Sequence, residues 1–267
     1  MNSEKYPTRI NKYLAHEAIC SRREADRLLE AGKVLINGKR AKLGDMVNEN
    51  DKVEVVGDQK RKNELVYLAY YKPRGIITHS PQGDEKSIED ILSYGNLKNS
   101  HTRGLTRTSR GTLRKDLDSN SKYKSKVFPV GRLDKDSEGL IMLTNDGRVT
   151  GRLLEPERNH DKEYVVTVDK EVEQKFIDKM EKGVVLDDGY KTRPCEARKI
   201  RTSAFSIILN EGKKRQIRRM CNALGYSVTS LKRVRILNIK LAGLKPGQHR
   251  TLKGGELKGF LEKLGLL

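Results

Sequence analysis

Residues 130–147 read VGRLDKDSEGLIMLTNDG, and they set one carboxylate, Asp134, in a short polar loop between two apolar runs. Val127, Phe128 and Val130 lead into the loop and Leu140 to Leu143 lead out of it. Both runs have the length and composition of buried strands, and Asn145-Asp146-Gly147 reads as a turn rich in residues that tolerate left-handed geometry. A carboxylate pinned in this way serves chemistry, a metal, or an Asx-type turn. The metal reading is tested by spelling. Asp134, Asp136, Glu138 and Gly139 follow the opening of a calcium loop, but position twelve is Asn145 where a bidentate glutamate is required, and the flanks read as strands where that motif has helices.

Outward from this loop, the bulk of the chain narrows the partners. With 267 residues the chain can bury more than one core. It holds 55 Lys and Arg against 36 Asp and Glu, a formal charge of +19, which points to a polyanion; no basic amphipathic anchor stands out, so nucleic acid is favoured over a membrane surface. The three cysteines, Cys20, Cys195 and Cys221, form no C-x-x-C pair and fit free thiols in a reducing compartment. No run of 18 apolar residues occurs and the first ten residues lack an apolar signal core, so a cytoplasmic protein is expected.

Residues 1–57 predict a small helix-helix-hairpin unit. Thr8 is placed to cap a first helix in which Ile10, Tyr13, Leu14 and Ala18 share a face. Ser21 with Glu24 spells a capping box for a second helix, carrying Ala25, Leu28 and Leu29 and ending at Gly32. Val34 to Ile36, the turn Asn37-Gly38 and Val53 to Val56 complete the unit. Its cations are placed with purpose: Arg9 and Lys12 on the first helix, Arg22 and Arg23 beside Ser21 at the start of the second, Lys39 after the turn. A helix start carrying a serine and two arginines suits a phosphate.

Residues 58–64 read as a linker and 65–267 as a second domain. Within the latter, Leu65 to Tyr71 predicts a strand followed by the turn Lys72-Pro73-Arg74-Gly75. Residues 98–126 carry nine Lys or Arg, two Asp and nine Ser or Thr, with three leucines and one tyrosine to bury, so a mobile basic insertion is expected there. Either a basic arm gripping RNA phosphates or an idle insertion fits it. Downstream, strands are predicted at Glu163 to Val168 and Ala204 to Leu209, and helices at Glu171 to Lys182, capped by Asp169, and at Lys214 to Ala223, ending at Gly225. Runs of strands with separate helices make the class α+β.

The string GRLDKDSEGL at 131–140 resembles the signature of pseudouridine synthases of the RsuA/RluB/RluF group. Lys162-Glu163-Tyr164-Val165-Val166 resembles that family's tyrosine motif, and NEGKKRQIRRMC at 210–221 its arginine-bearing third motif, in the same order. RQIRRMC followed by LGYSV and LKRVRILNIKL is most similar to the RluF-type subgroup. The N-terminal unit resembles the RNA-binding domain first seen in ribosomal protein S-four of the small subunit. The resemblance implies a catalytic domain on a mixed, largely antiparallel sheet with the active cleft across its middle. It also implies that one uridine of ribosomal RNA, with large-subunit 23S RNA favoured over small-subunit or transfer RNA, is isomerised to pseudouridine. Precursor ribosomal particles are possible partners, and a monomer is expected. The insertion at 98–126 departs from the family, where this connection is short, and leaves target choice open. A binding factor with a decayed cleft is the competing reading.

The residues carry the implied chemistry. Breaking the glycosidic bond, turning the uracil and joining its C5 to the sugar needs no redox change and no group carrier; there is no P-loop, dinucleotide fingerprint or metal spacing, so neither cofactor nor metal is expected. Asp134 acts as nucleophile or base only while ionised, which calls for a cation neighbour, and Arg218 is the candidate. Tyr164 offers a ring to stack on an extruded uracil and a hydroxyl to relay a proton. Arg132, as the resemblance suggests, fills the position the base leaves. Arg215 and Arg219 are expected along the RNA path, with Lys213, Lys214, Lys232, Arg233 and Arg235 as further basic candidates there.

Overall fold

The computed structural model describes residues 6–17, 19, 20, 22–56, 64–79, 83, 85–88, 90 and 127–267, the side chains of Arg23 and Pro156 excepted. Ala18, Ser21, nearly all of the 58–64 linker and the 98–126 insertion lie outside the described residues. Among those described, no helix is long and apolar enough to cross a membrane.

The N-terminal unit comprises β1 (Thr8–Arg9), α1 (Ile10–His16), α2 (Arg22–Glu30), β2 (Val34–Ile36), β3 (Lys39–Arg40), β4 (Met46–Val47) and β5 (Val53–Val55). Ile10 and Leu14 of α1 meet Ala25 and Leu29 of α2 over Val34 and Val47, a core that closes without help from outside the unit. The hairpin between β2 and β3 turns on Asn37 (φ 51°) and Gly38 (φ 77°), the left-handed pair a two-residue turn needs. Thr8 does not cap α1. It is buried and pairs with Val47 in the β1–β4 ladder, so its backbone is committed to a strand and Arg9 takes the N-cap position with no side-chain bond.

The remainder contains β6 (Tyr67–Lys72), β7 (Phe128–Val130), β8 (Glu138–Thr144), α3 (Gly147–Leu154), β9 (Lys162–Val168), α4 (Gln174–Glu181), β10 (Glu196–Arg201), β11 (Ala204–Leu209), α5 (Gln216–Ala223), β12 (Val228–Ile236), β13 (Ile239–Lys240), β14 (His249–Thr251) and α6 (Gly254–Lys263). The strands form one sheet in the order β10-β11-β9-β12-β8-β6-β14, with β7 added to β8 and β13 to β12. Every pairing is antiparallel except β12 with β8, which makes the class α+β on a mixed, largely antiparallel sheet.

Two cores flank that parallel seam. On one side Phe176, Ile177 and Met180 of α4 and Ile217 and Met220 of α5 cover Val166, Phe205, Ile207 and Leu231. On the other, Val149 and Leu153 of α3 and Phe260 of α6 cover Tyr67, Ala69, Leu140 and Met142. The seam lies mid-sheet, and the second core reaches across it from Leu140 and Met142 to Ile236 of β12. Arg233 of β12 stands opposite Gly139 of β8, and a Cβ on Gly139 would lie 2.3 Å from the Arg233 carbonyl oxygen. With φ at 108° as well, only glycine fits there.

Three local expectations are corrected. Asn145-Asp146-Gly147 is not a free turn: Asp146, at φ −89°, caps α3 by accepting from the Arg148 amide. The octet GRVTGRLL, with two glycines and few apolar residues, hides that helix from propensity reasoning. Helix α4 starts at Gln174, because Val172 is buried and its amide bonds to Thr202, while the Asp169 carboxylate takes the Ser227 amide and caps nothing. Helix α5 starts at Gln216, after Arg215 has entered the left-handed region. The start of α3 abuts the N-terminal unit: a Cβ on Gly147 would sit 3.0 Å from the Ala15 carbonyl oxygen of α1.

Candidate active site

The loop between β7 and β8 is fastened through its own backbone. Gly131 turns it with φ at 79°. Thr78 takes both polar groups of Leu133, accepting from its amide at 3.1 Å and donating to its carbonyl at 2.9 Å. Lys72, fully buried at the end of β6, donates to the carbonyls of Ser137 (2.7 Å) and Pro73 (2.9 Å). Arg218, from the buried face of α5, donates to the Asp136 carbonyl at 3.2 Å and to that of Val228 at 3.1 Å. Arg233 donates to Leu140 at 2.7 Å and reaches the Arg132 carbonyl at 3.5 Å. Every one of these ties leaves the Asp134 side chain untouched, and it remains 39 % exposed.

Two carboxylates face two guanidiniums. Arg215 makes a bidentate pair with Asp136 at 3.0 and 3.3 Å and stands 3.9 Å from Asp134. Arg218 reaches Asp136 at 3.1 Å. The expected pairing of Arg218 with Asp134 is thus corrected: Asp136 takes Arg218, and the cation nearest Asp134 is Arg215. Burial pushes the Asp136 carboxyl up, but its bonds to Arg215 and the Arg218 charge outweigh this and hold it below the usual range. Burial lowers Arg218, against the attraction of Asp136 and Asp134. Lys72 is pushed down to about 8 by burial, opposed by the charges of Asp134 and Asp136.

Arg215 holds an uncommon backbone, φ 50° and ψ 33°, immediately before α5. Such a conformation costs a non-glycine residue on the order of 1–3 kcal/mol and persists where the surroundings dictate it. Those surroundings centre on the buried Glu211, which accepts from Tyr190 (2.7 Å), the Arg193 amide (3.0 Å) and Gln216 (2.6 Å); Gln216 in turn accepts from the Lys213 amide at 2.9 Å. The strained turn aims the Arg215 side chain back at residues 134 and 136.

Tyr164 is half-buried on β9 and packs against the core that α5 helps to cover. It stands in one row with Arg233 and Gly139 across β9, β12 and β8, and Gly139 follows Asp134 by five residues. Arg132 is exposed on the same loop. Arg9, Lys12, Arg22 and Lys39 are exposed on the N-terminal unit, with Arg22 bonded to Asn11 at 3.4 Å; Arg23 lies in α2, and Ser21 is outside the described residues. Arg219 points elsewhere and is neutralised by Asp187 and by Asp188 at 2.7 Å. Lys72, Thr78 and Asp136 complete the site without having been singled out as parts of it, and Arg233, expected along the RNA path, is instead buried and bonded to main-chain carbonyls. Signals existed: Lys72 closes the apolar run VYLAYYK, and Arg233 shares its alternation with the buried Leu231.

A loop fastened through its backbone, an exposed carboxylate and paired guanidiniums beside a mixed sheet make a polyanion-directed enzyme cleft, and comparison with known proteins identifies which. Residues 66–223 match the RNA pseudouridylate synthase family and residues 8–53 match the S4 domain. The chain belongs to the RNA pseudouridylate synthase family. It is 40 % identical to the dual-specificity RNA pseudouridine synthase RluF of Salmonella typhi over 253 residues, 94 % of this chain and 77 % of the relative. It is 35 % identical to ribosomal large subunit pseudouridine synthase B of Bacillus subtilis, 94 % of each chain being covered. A crystal structure of a pseudouridylate synthase has the same fold, with a TM-score of 0.61 at 24 % identity over 94 % of this chain and 99 % of that one.

Proposed function

We propose that this pseudouridine synthase acts on ribosomal RNA, with a uridine of the large-subunit 23S RNA as its target, in the cytoplasm and as a monomer, on free RNA or on precursor particles. Residues 1–57 dock on RNA, 58–64 connect, and 65–267 carry out the isomerisation. The names of the relatives support a ribosomal target, and the +19 charge supports a polyanionic one.

Asp134 is the reacting group, as nucleophile or as base. The observation that carries this assignment is its exposure in a loop fastened by the backbone of Leu133, Asp136 and Ser137, 3.9 Å from Arg215. Arg215 and Arg218 stand beside it, and Asp136 holds both arginines in register. Tyr164 stacks on the extruded uracil and relays the proton that leaves C5. Extrusion costs a few kcal/mol, recovered by contacts to the flipped nucleotide and its phosphates; Arg132 fills the gap. Arg9, Lys12, Ser21, Arg22, Arg23 and Lys39 seat the backbone on the N-terminal unit.

The test is a carbodiimide map of pseudouridines in ribosomal RNA from cells carrying the wild-type chain or Asp134→Asn. One site is expected to vanish in the variant, with RNA affinity of the purified protein kept within a few fold. An unchanged map sinks the assignment of Asp134. A site in small-subunit or transfer RNA redirects the target, and loss of RNA affinity makes the residue structural.

A further inference from the structure

Arg233 is nine-tenths buried and has no carboxylate partner among the described residues; its Nε and Nη1 go to main-chain carbonyls and its Nη2 is left without a hydrogen bond. Leaving a buried guanidinium without a counter-charge is costly, so its retention calls for a task. The two carbonyls it takes are those of Leu140 and Arg132, one on either side of the loop that carries Asp134. Its own backbone pairs with Gly139 on β8 and with Tyr164 on β9. One residue thus spans the span's two ends and the strand of the aromatic partner.

We propose that Arg233 is a positioning residue: it draws the ends of the Asp134 loop to a fixed separation and sets that loop against Tyr164. The inference rests on the proposed reaction at Asp134 and extends it to a residue with no polar tie to either carboxylate. Lysine cannot replace it fully, since a single ammonium on a shorter stem cannot serve two carbonyls set apart across the loop.

The experiment measures single-turnover tritium release from a large-subunit ribosomal RNA transcript labelled at uracil C5, with RNA affinity measured in parallel, for wild type, Arg233→Lys and Arg233→Ala. The rate is expected to fall about 100-fold in the alanine variant, the usual effect of a displacement near 1 Å, and less in the lysine variant, with affinity kept within threefold. Guanidinium ion at millimolar concentration is expected to restore part of the alanine variant's rate. Wild-type rates in both variants overturn the inference while leaving the proposed function standing. A parallel loss of rate and affinity, no rescue, or loss of fold in both variants makes Arg233 a folding residue only and overturns it equally. No release by wild type from the transcript or from precursor particles carrying the same label overturns the proposed function, and the inference with it.

Discussion

At the scale of single residues, the site shows how one carboxylate is kept free by committing its neighbour. Asp136 absorbs the bidentate grip of Arg215 and the contact from Arg218, so both guanidiniums stay beside Asp134 without clamping it. Arg219, only one residue from Arg218, faces the other way and is already neutralised by Asp187 and Asp188. Arg215, exposed, and Arg219, partly buried, should therefore separate in a binding assay. Arg215→Ala is expected to weaken RNA affinity several-fold and reduce the slope of log Kd against log salt by about one, whereas Arg219→Ala should leave the slope unchanged. Equal slopes for both variants would show that ion pairing in the free protein does not decide which arginine meets phosphate.

At the scale of elements, two devices that can be broken singly lie on β8 and just past it. Its Gly139 meets the Arg233 carbonyl at a distance no side chain tolerates, so Gly139→Ala is expected to lose at least about 3 kcal/mol and to lower Tm by on the order of 10 °C. Two residues past the strand, the α3 cap Asp146 is fully buried between Tyr67 and Arg148. Burial raises the Asp146 carboxyl, but the bonds from Arg148 and Tyr67 outweigh it and leave it below its ordinary value of 3.8. A carboxyl lowered by folding contributes stability above its unfolded value and loses it as pH falls through the folded one. Asp146→Asn is thus expected to cost about 3 kcal/mol at pH 7, with the gap to wild type closing below pH 3.8 in acid unfolding curves. A gap that persists undiminished in acid would mean that the lost bonds, not the charge, carry the effect. Strands such as Ala204–Leu209 were legible because alternation and length agree with burial. Helix α3 was not, since its stability comes from the Asp146 cap and from Val149 and Leu153 docking on the sheet, neither of which a local pattern reveals. In the site, the motif residues stood out in the chain, whereas Lys72 and Arg233 act through main-chain carbonyls that only the folded sheet brings to them.

At the scale of the whole molecule, charge is spread unevenly along the chain. Residues 98–126 hold nine basic and two acidic residues, a local charge of +7 from 9 − 2, and removing residues 100–125 is expected to flatten the salt dependence of RNA binding while single-turnover rates persist. An unaltered slope would show that this stretch contributes no phosphate contacts. The N-terminal unit is tied to the rest through the Ala15 carbonyl, which rests where Gly147 has no side chain. A larger residue there, as in Gly147→Leu, should leave chemistry on saturating RNA intact and raise the RNA concentration needed to reach it.

That abutment behaves like the pivot of a pair of calipers. On the proposed function, one jaw is the cluster of exposed cations on the small unit, the other is the aspartate on the loop before β8, and the gap between them is set where bare glycine meets carbonyl. An RNA is then expected to qualify by the distance between its grip and its uridine, so that length, and not lettering alone, would enter the choice of substrate.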